Sequence, residues 1–292
     1  MTDIRRIHPA AALLYFLTVI LLPMFVLDPV ILSLSLVGSA LCLLCVKRSG
    51  EKSGIALYTA LFIGITVINP LISHNGETEL FFVNNKPVTL EATVYGAVSA
   101  VMIIGILVWF RSFSIVMTGE KLLYIVGSAA PKTAMILCTA LRYVPLFKKQ
   151  HEKIRATQTA MGLYTADNIT DRLRGSARVF SILTTWSLEN SIDTADSMKA
   201  RGYGLKHRKP FSLYKYHASD IIFTAITLVL AASAITFAAV GGLSMQFYPT
   251  IALPEKTAMI ILCYVFYGAL AMLPAALELI ERIRWRYLTS AI

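Results

Sequence analysis

"LEATVYGAVSAVMIIGILVWF", residues 90–110, carries one charged side chain, Glu91, and that in its first turn. An α-helix rises 1.5 Å per residue, so about 20 residues cross the roughly 30 Å hydrocarbon layer of a bilayer. This run is long enough to cross. Residues 10–27, 30–46, 55–72, 221–241 and 257–273 repeat the pattern, with no Lys, Arg, Asp or Glu in any of them. Pro23 and Gly64 inside these runs are tolerable, because neighbouring helices re-satisfy the backbone. The whole composition agrees: 56% of the residues are hydrophobic and 15% charged, with mean hydropathy +0.65. Soluble chains average about a quarter charged. The reading is therefore a polytopic membrane protein embedded in the lipid bilayer.

Charge sets the orientation. With the N-terminus inside and six crossings, the outer loops are residues 69–89 and 243–256, which hold only Lys86 and Lys256 of the 27 basic residues. The other 25 face the cytoplasm, as the positive-inside rule asks, and both termini are expected there. The net charge of +10 then reads as topology plus a basic cytoplasmic surface, and calls for no nucleic-acid partner. Arg5 and Arg6 precede the first run as in a signal peptide. The run ends in "FVLDPV" rather than an A-x-A-like site, so it reads as an uncleaved first helix. Cys42 and Cys45, spaced C-x-x-C in "ALCLLCV", read as small apolar residues of a helix; Cys138 and Cys263 stand alone, so no disulfide framework is implied.

The chain thus divides into residues 1–111 with four spans, an insert at 112–217, and residues 218–292 with two spans and a basic C-terminal tail. From Arg111 to His217 there are 17 Lys/Arg against 7 Asp/Glu. Residues 122–141 are apolar enough to suggest a further crossing. Lys132 near the middle, Pro131 beside it and the basic residues from Lys148 onward favour helices at the cytoplasmic interface instead. Two long helices are expected in the insert. One starts near Pro131 and ends near Met161, with a bend at Pro145. The other runs from about Thr170 to Arg201. It has an apolar stripe (Leu173, Ala177, Phe180, Leu183, Leu188, Ile192, Ala195, Met198) opposite a wet one. The expected fold class is all-α: about six transmembrane helices plus a cytoplasmic or interfacial insert of two long helices.

The two insert helices end alike. "TQTAMGLY" (157–164) and "SMKARGYG" (197–204) both finish in glycine, as helix C-termini often do. Two similar tips suggest two similar docking sites. Arg201 itself has two readings. Its cation suits the negative end of the helix dipole, worth about 0.3–1 kcal/mol. Alternatively, with only Ala200 and Gly202 beside it, its guanidinium can enter a partner's groove and pair a carboxylate in two-point fashion.

The stretch "SLENSIDTADSMKARGYG" closely resembles the second Ala-Arg-Gly motif of the transmembrane T component of energy-coupling factor (ECF) transporters. The resemblance extends through "LRYVPLFKKQHEKIRATQTAMGL" and "NPLISHNG…PVTLEATVYG". It implies a multi-pass subunit of a prokaryotic cell membrane, standing between two ABC-type ATPases and a membrane-embedded, substrate-binding S component. Such a subunit couples ATP-driven motions to uptake of a vitamin or trace-metal ion, has no cofactor and is not an enzyme. The resemblance also implies that Ala200, Arg201 and Gly202 dock one ATPase on a coupling helix. Ala160, Met161 and Gly162 stand where the first Ala-Arg-Gly motif is expected. Met161 cannot make its ion pair, so packing in a groove is the expectation there.

The motifs that are missing fit this. There is no G-x-x-x-x-G-K-[ST] loop to hydrolyse ATP, no H-E-x-x-H and no metal-spaced Cys/His cluster. His8, His74, His151, His207 and His217 are scattered. No ionisable residue sits deep in a span, as a proton- or ion-coupled carrier requires; Asp28 and Glu91 fall at span ends, where water is expected to reach them, and Glu278 near the cytoplasmic exit. The competing class is a membrane enzyme that holds a phosphorylated lipid on the basic insert. It lacks a paired-carboxylate or nucleophile–base arrangement.

Overall fold

A computed structural model describes residues 7–46, 54–73, 76–83, 86–163, 169–204, 214–240, Met245, Phe247 and 258–290. In chain order the elements are α1 (Pro9–Phe25), α2 (Pro29–Val46), α3 (Ile55–Ile72), β1 (Glu79–Val83), β2 (Lys86–Thr89), α4 (Leu90–Val116), α5 (Gly119–Ala129), α6 (Pro131–Ala160), α7 (Ile169–Ala200), α8 (Ala218–Val240) and α9 (Ala258–Ser290). All six apolar runs are helices. Five of them are long and apolar enough to span a bilayer, and α1, at 17 residues, is slightly shorter. The protein is therefore a multi-pass, almost wholly helical membrane protein. Most of the outer loop at 243–256 and all of residues 205–213, with His207, lie outside the described residues, as does His74.

Proline and short polar side chains start the helices. Pro9 opens α1, where its missing N–H costs nothing, and His8 Nδ1 accepts a hydrogen bond from Ala10 N at 3.3 Å. Asp28 caps α2: its Oδ1 accepts from Val30 N at 2.8 Å and Ile31 N at 3.3 Å. Its Oδ2 accepts from the Tyr264 hydroxyl of α9 at 2.9 Å. At α8 the Asp220 carboxylate reaches back to His217 N (3.1 Å) and also takes His8 N (3.3 Å). Asp28 and Glu91 are thus not the water-exposed span ends the sequence suggests. Both are buried, and Glu91 accepts from Thr78 N at 3.3 Å. A carboxylate loses little by burial when backbone N–H groups at a helix start supply its hydrogen bonds and a favourable dipole.

Contacts divide the chain into two compact units, Met1–Leu122 with Tyr214–Ile292, and Leu123–Leu213. In the first, five helices close a ring: α4 packs on α2, α2 on α9, α9 on α8, α8 on α1, and α1 back on α4. α3 lies outside the ring against α4, and among its residues only Pro70 is buried. Small residues allow close approach, as membrane helices require in the absence of a hydrophobic force between them. A Cβ at Gly38 would lie 2.8 Å from the Cβ of Ala271 and 2.9 Å from its carbonyl oxygen. Inside the ring, Trp109 is fully buried, stacks edge-on against Tyr15 and Phe16 and donates Nε1–H to Ser35 Oγ at 3.1 Å. Tyr15 donates its hydroxyl to Leu270 O at 3.2 Å. Cys42 and Cys263 are buried, free thiols, as apolar filler should be.

One element was not expected. β1 and β2 pair antiparallel, with Val83 opposite Lys86, inside the loop that the charge rule puts outside. The residues between them in sequence are Asn84 and Asn85, a type that short hairpin connections favour. The hairpin leads directly into α4, whose N-cap Thr89 accepts from Ala92 N at 3.4 Å.

Candidate docking surface

The second unit is dominated by α6 and α7. Residues 122–141 fall in two helices, not one, because Ala130 is non-helical (φ −139°, ψ 81°) and Pro131 opens α6. α6 then runs through Pro145 as a single element of 30 residues. Three contacts define its pairing with α7: Tyr143 with Thr194 (hydroxyls 2.7 Å apart), Phe147 with Trp186 (ring centroids 5.8 Å), and Arg178 Nη1 with Leu163 O (3.5 Å). Positions rise along α6 as they fall along α7. The helices are antiparallel. Their C-terminal tips therefore sit at opposite ends of a pair that is about 45 Å long at 1.5 Å per residue.

The two tips have the same backbone. At the end of α6, Gly162 N donates to Thr159 O at 3.0 Å and Leu163 N to Gln158 O at 3.0 Å; at the end of α7, Gly202 N donates to Lys199 O at 2.9 Å and Tyr203 N to Met198 O at 3.0 Å. Each is a Schellman cap, closed by a left-handed glycine: φ is +68° at Gly162 and +79° at Gly202. Nothing lies within 4 Å of a Cβ built at Gly162. Backbone conformation, not crowding, therefore asks for glycine there. Ala160 and Ala200 occupy the last helical position, and Met161 and Arg201 the same cap position. Both cap residues are exposed. The sequence repeat is thus a repeat of structure, with a thioether at one end and a guanidinium at the other. Since backbone bonds make the cap, the Arg201 side chain is not needed to close it.

Most of the apolar stripe of α7 lies away from the seam with α6. Leu173, Phe180, Leu188 and Ile192 are 61–71% exposed, whereas Gly175 and Val179 are the buried residues of the helix. The seam continues through Trp186 and Thr194, which touch α6. An amphipathic pattern states how much apolar surface a helix must cover, not who covers it; here α6 leaves Leu173, Phe180, Leu188 and Ile192 uncovered.

Sequence reading missed one feature of this surface. At the Arg201 end, α6 and α7 enclose a groove of about 410 Å³, lined among others by Arg142, Asp193, Asn190, Met135, Met198 and Arg201. Only the antiparallel register brings Arg142 beside a residue so far along the chain. Near the Met161 end a shallower hollow is lined by α6 alone, including Glu152, Arg155 and Ala160.

The comparisons with known proteins fit this architecture. The profile of the CbiQ family, described as "Cobalt transport protein", matches residues 2–211. The energy-coupling factor transporter transmembrane protein EcfT 1 of Listeria monocytogenes (serotype 1/2a, strain 08-5578) is 29% identical over 101 residues, 34% of this chain and 38% of that protein. The EcfT protein of Lacticaseibacillus paracasei (strain ATCC 334) is 30% identical over 112 residues, 38% of this chain and 42% of that protein. The match thus spans about two fifths of the length of these relatives. With the family profile running from the first helix through both capped tips of the insert, the chain belongs to the CbiQ cobalt transport protein family, that of the transmembrane T components of energy-coupling factor transporters.

Proposed function

We propose that this chain is the coupling subunit of an ECF importer, carrying ATP-driven movements of two ABC ATPases to a substrate-loaded S component. The observation that supports it best is the pair of equivalent capped tips at opposite ends of α6 and α7, each presenting one side chain outward. A rod with a docking point at each end can receive motion from two ATPases at once. The exposed stripe Leu173, Phe180, Leu188 and Ile192 supplies an apolar surface for the membrane-embedded partner. Exposed apolar side chains aligned on one helix face suit such an interaction. The substrate is chosen by the S component; the family's description makes a trace-metal ion such as cobalt one candidate, a vitamin the other. The test is purification of the tagged chain from its native membrane, with uptake assayed in parallel. ABC ATPases and a small membrane protein recovered in fixed ratio are expected; a chain that purifies alone while uptake persists sinks the reading.

The tips should differ in how they dock. Met161 has no charge, so Met161→Ala is expected to weaken ATPase binding less than Arg201→Ala and with little dependence on salt, because apolar contacts are not screened. Titrating ATPase binding at two ionic strengths checks this. Equal, strongly salt-dependent losses at both tips would show that the first also docks electrostatically.

We further propose that both termini and the insert are cytoplasmic. In a variant lacking the native cysteines, a membrane-impermeant thiol reagent applied from outside should label a cysteine at Glu77 and not one at Lys199. Both positions are exposed. Labelling of the second from outside overturns the topology.

A further inference from the structure

Arg142 and Arg201 lie on different helices and line one groove. Among the described residues, neither guanidinium makes a hydrogen bond or an ion pair, and neither does the Asp193 carboxylate in the same groove. Three uncommitted charges in one concave surface are a recognition pattern, not a stabilising one. Two like charges in a cleft repel, and an anion placed between them relieves the repulsion. We propose that Arg142 is the second cation of the Arg201 docking site, so that the ATPase surface entering this groove carries acidic side chains toward both arginines and a hydrogen-bond donor or cation toward Asp193. This rests on the coupling reading above and names the chemistry of the partner.

The groove favours a protein over an anionic lipid headgroup. Asp193 repels a phosphate, whereas a protein surface matches a mixed pattern of charges. Met135 and Met198 line the same groove with flexible apolar surface, which suits a packed side chain better than a hydrated headgroup. The Arg142 side chain is exposed and makes no hydrogen bond or ion pair among the described residues, so its substitution should spare folding. Arg142 would meet the docked partner directly; the seam contact beside it, Tyr143 with Thr194, keeps its helix in register with the tip.

The experiment uses the chain in nanodiscs and the ABC ATPases that co-purify with it, returned in purified form. Arg142→Ala is expected to weaken their binding about tenfold or more, as for a lost charge-assisted hydrogen bond. Arg142→Lys should recover part of this. Arg142→Glu should lose more than Arg142→Ala, and the losses should shrink at high salt. The double variant with Arg201→Ala should lose less than the product of the two single losses, since both arginines serve one site. If Arg142→Ala and Arg142→Glu bind like wild type while Arg201→Ala does not, the Arg142 role is wrong and the coupling reading stands. If no variant, Arg201→Ala included, changes binding, the docking reading itself fails. If Arg142→Ala instead loses only flotation with phosphatidylglycerol vesicles, the groove is a lipid site and the proposal is overturned.

Discussion

Arg201→Ala is expected to weaken ATPase assembly by roughly 30- to 4,000-fold, the equivalent of about 2–5 kcal/mol. Truncation leaves the partner's carboxylate desolvated and without its counter-charge, which accounts for most of that cost. Lysine returns the charge without the planar two-point fork, so Arg201→Lys should regain only part of the loss. The variant should still fold and insert, because backbone bonds to Gly202 and Tyr203 close the cap and the side chain is exposed. The alternative role, a cation favourably placed at a helix C-terminus, is worth about 0.3–1 kcal/mol and is rescued by lysine. Co-purification and uptake for the three proteins at equal membrane expression separate the two. Normal assembly by Arg201→Ala ends the docking role.

Gly38→Val is expected to destabilise the transmembrane unit by about 3 kcal/mol, while Gly64→Ala stabilises it slightly or leaves it unchanged. A Cβ at Gly38 meets the Cβ and the carbonyl oxygen of Ala271 at 2.8 and 2.9 Å. Backbone cannot rotate away as a side-chain end can, so α2 and α9 must separate, as in other overpacked contacts. At Gly64 nothing lies within 4 Å of the added carbon, and alanine gains up to about 1 kcal/mol of helix propensity. Thermal unfolding midpoints in one detergent compare the two. If the substitutions act alike, ring closure through this contact is not what holds α2 to α9.

The structure also changes the meaning of the buried acids. Asp28 and Glu91 lie at helix starts and are taken up by backbone N–H groups, so their place in the fold is that of buried hydrogen-bond acceptors.

Some of this protein is legible in its residues alone. The bilayer has a fixed thickness, so apolar runs such as 90–110 declare themselves by length, and all six became helices. Proline opens a helix and left-handed glycine closes one whatever the neighbours do, so Pro131, Gly162 and Gly202 marked the insert helices to within a residue or two. The likeness of "TQTAMGLY" and "SMKARGYG" is likewise local, and it reappears as two identical caps. What depends on a second segment was hidden. The apolar stripe of α7 does not say which residues meet α6, and it is Trp186 and Thr194, outside the stripe, that touch it. Burial of Asp28 required Tyr264 to arrive from α9. The β1–β2 hairpin required two short strands to find each other. Arg142 joined the Arg201 groove only when an antiparallel register placed it there. Periodicity along one helix records which side is apolar, but which residues meet is set by the relative phase and direction of two helices, and no single stretch of sequence contains that.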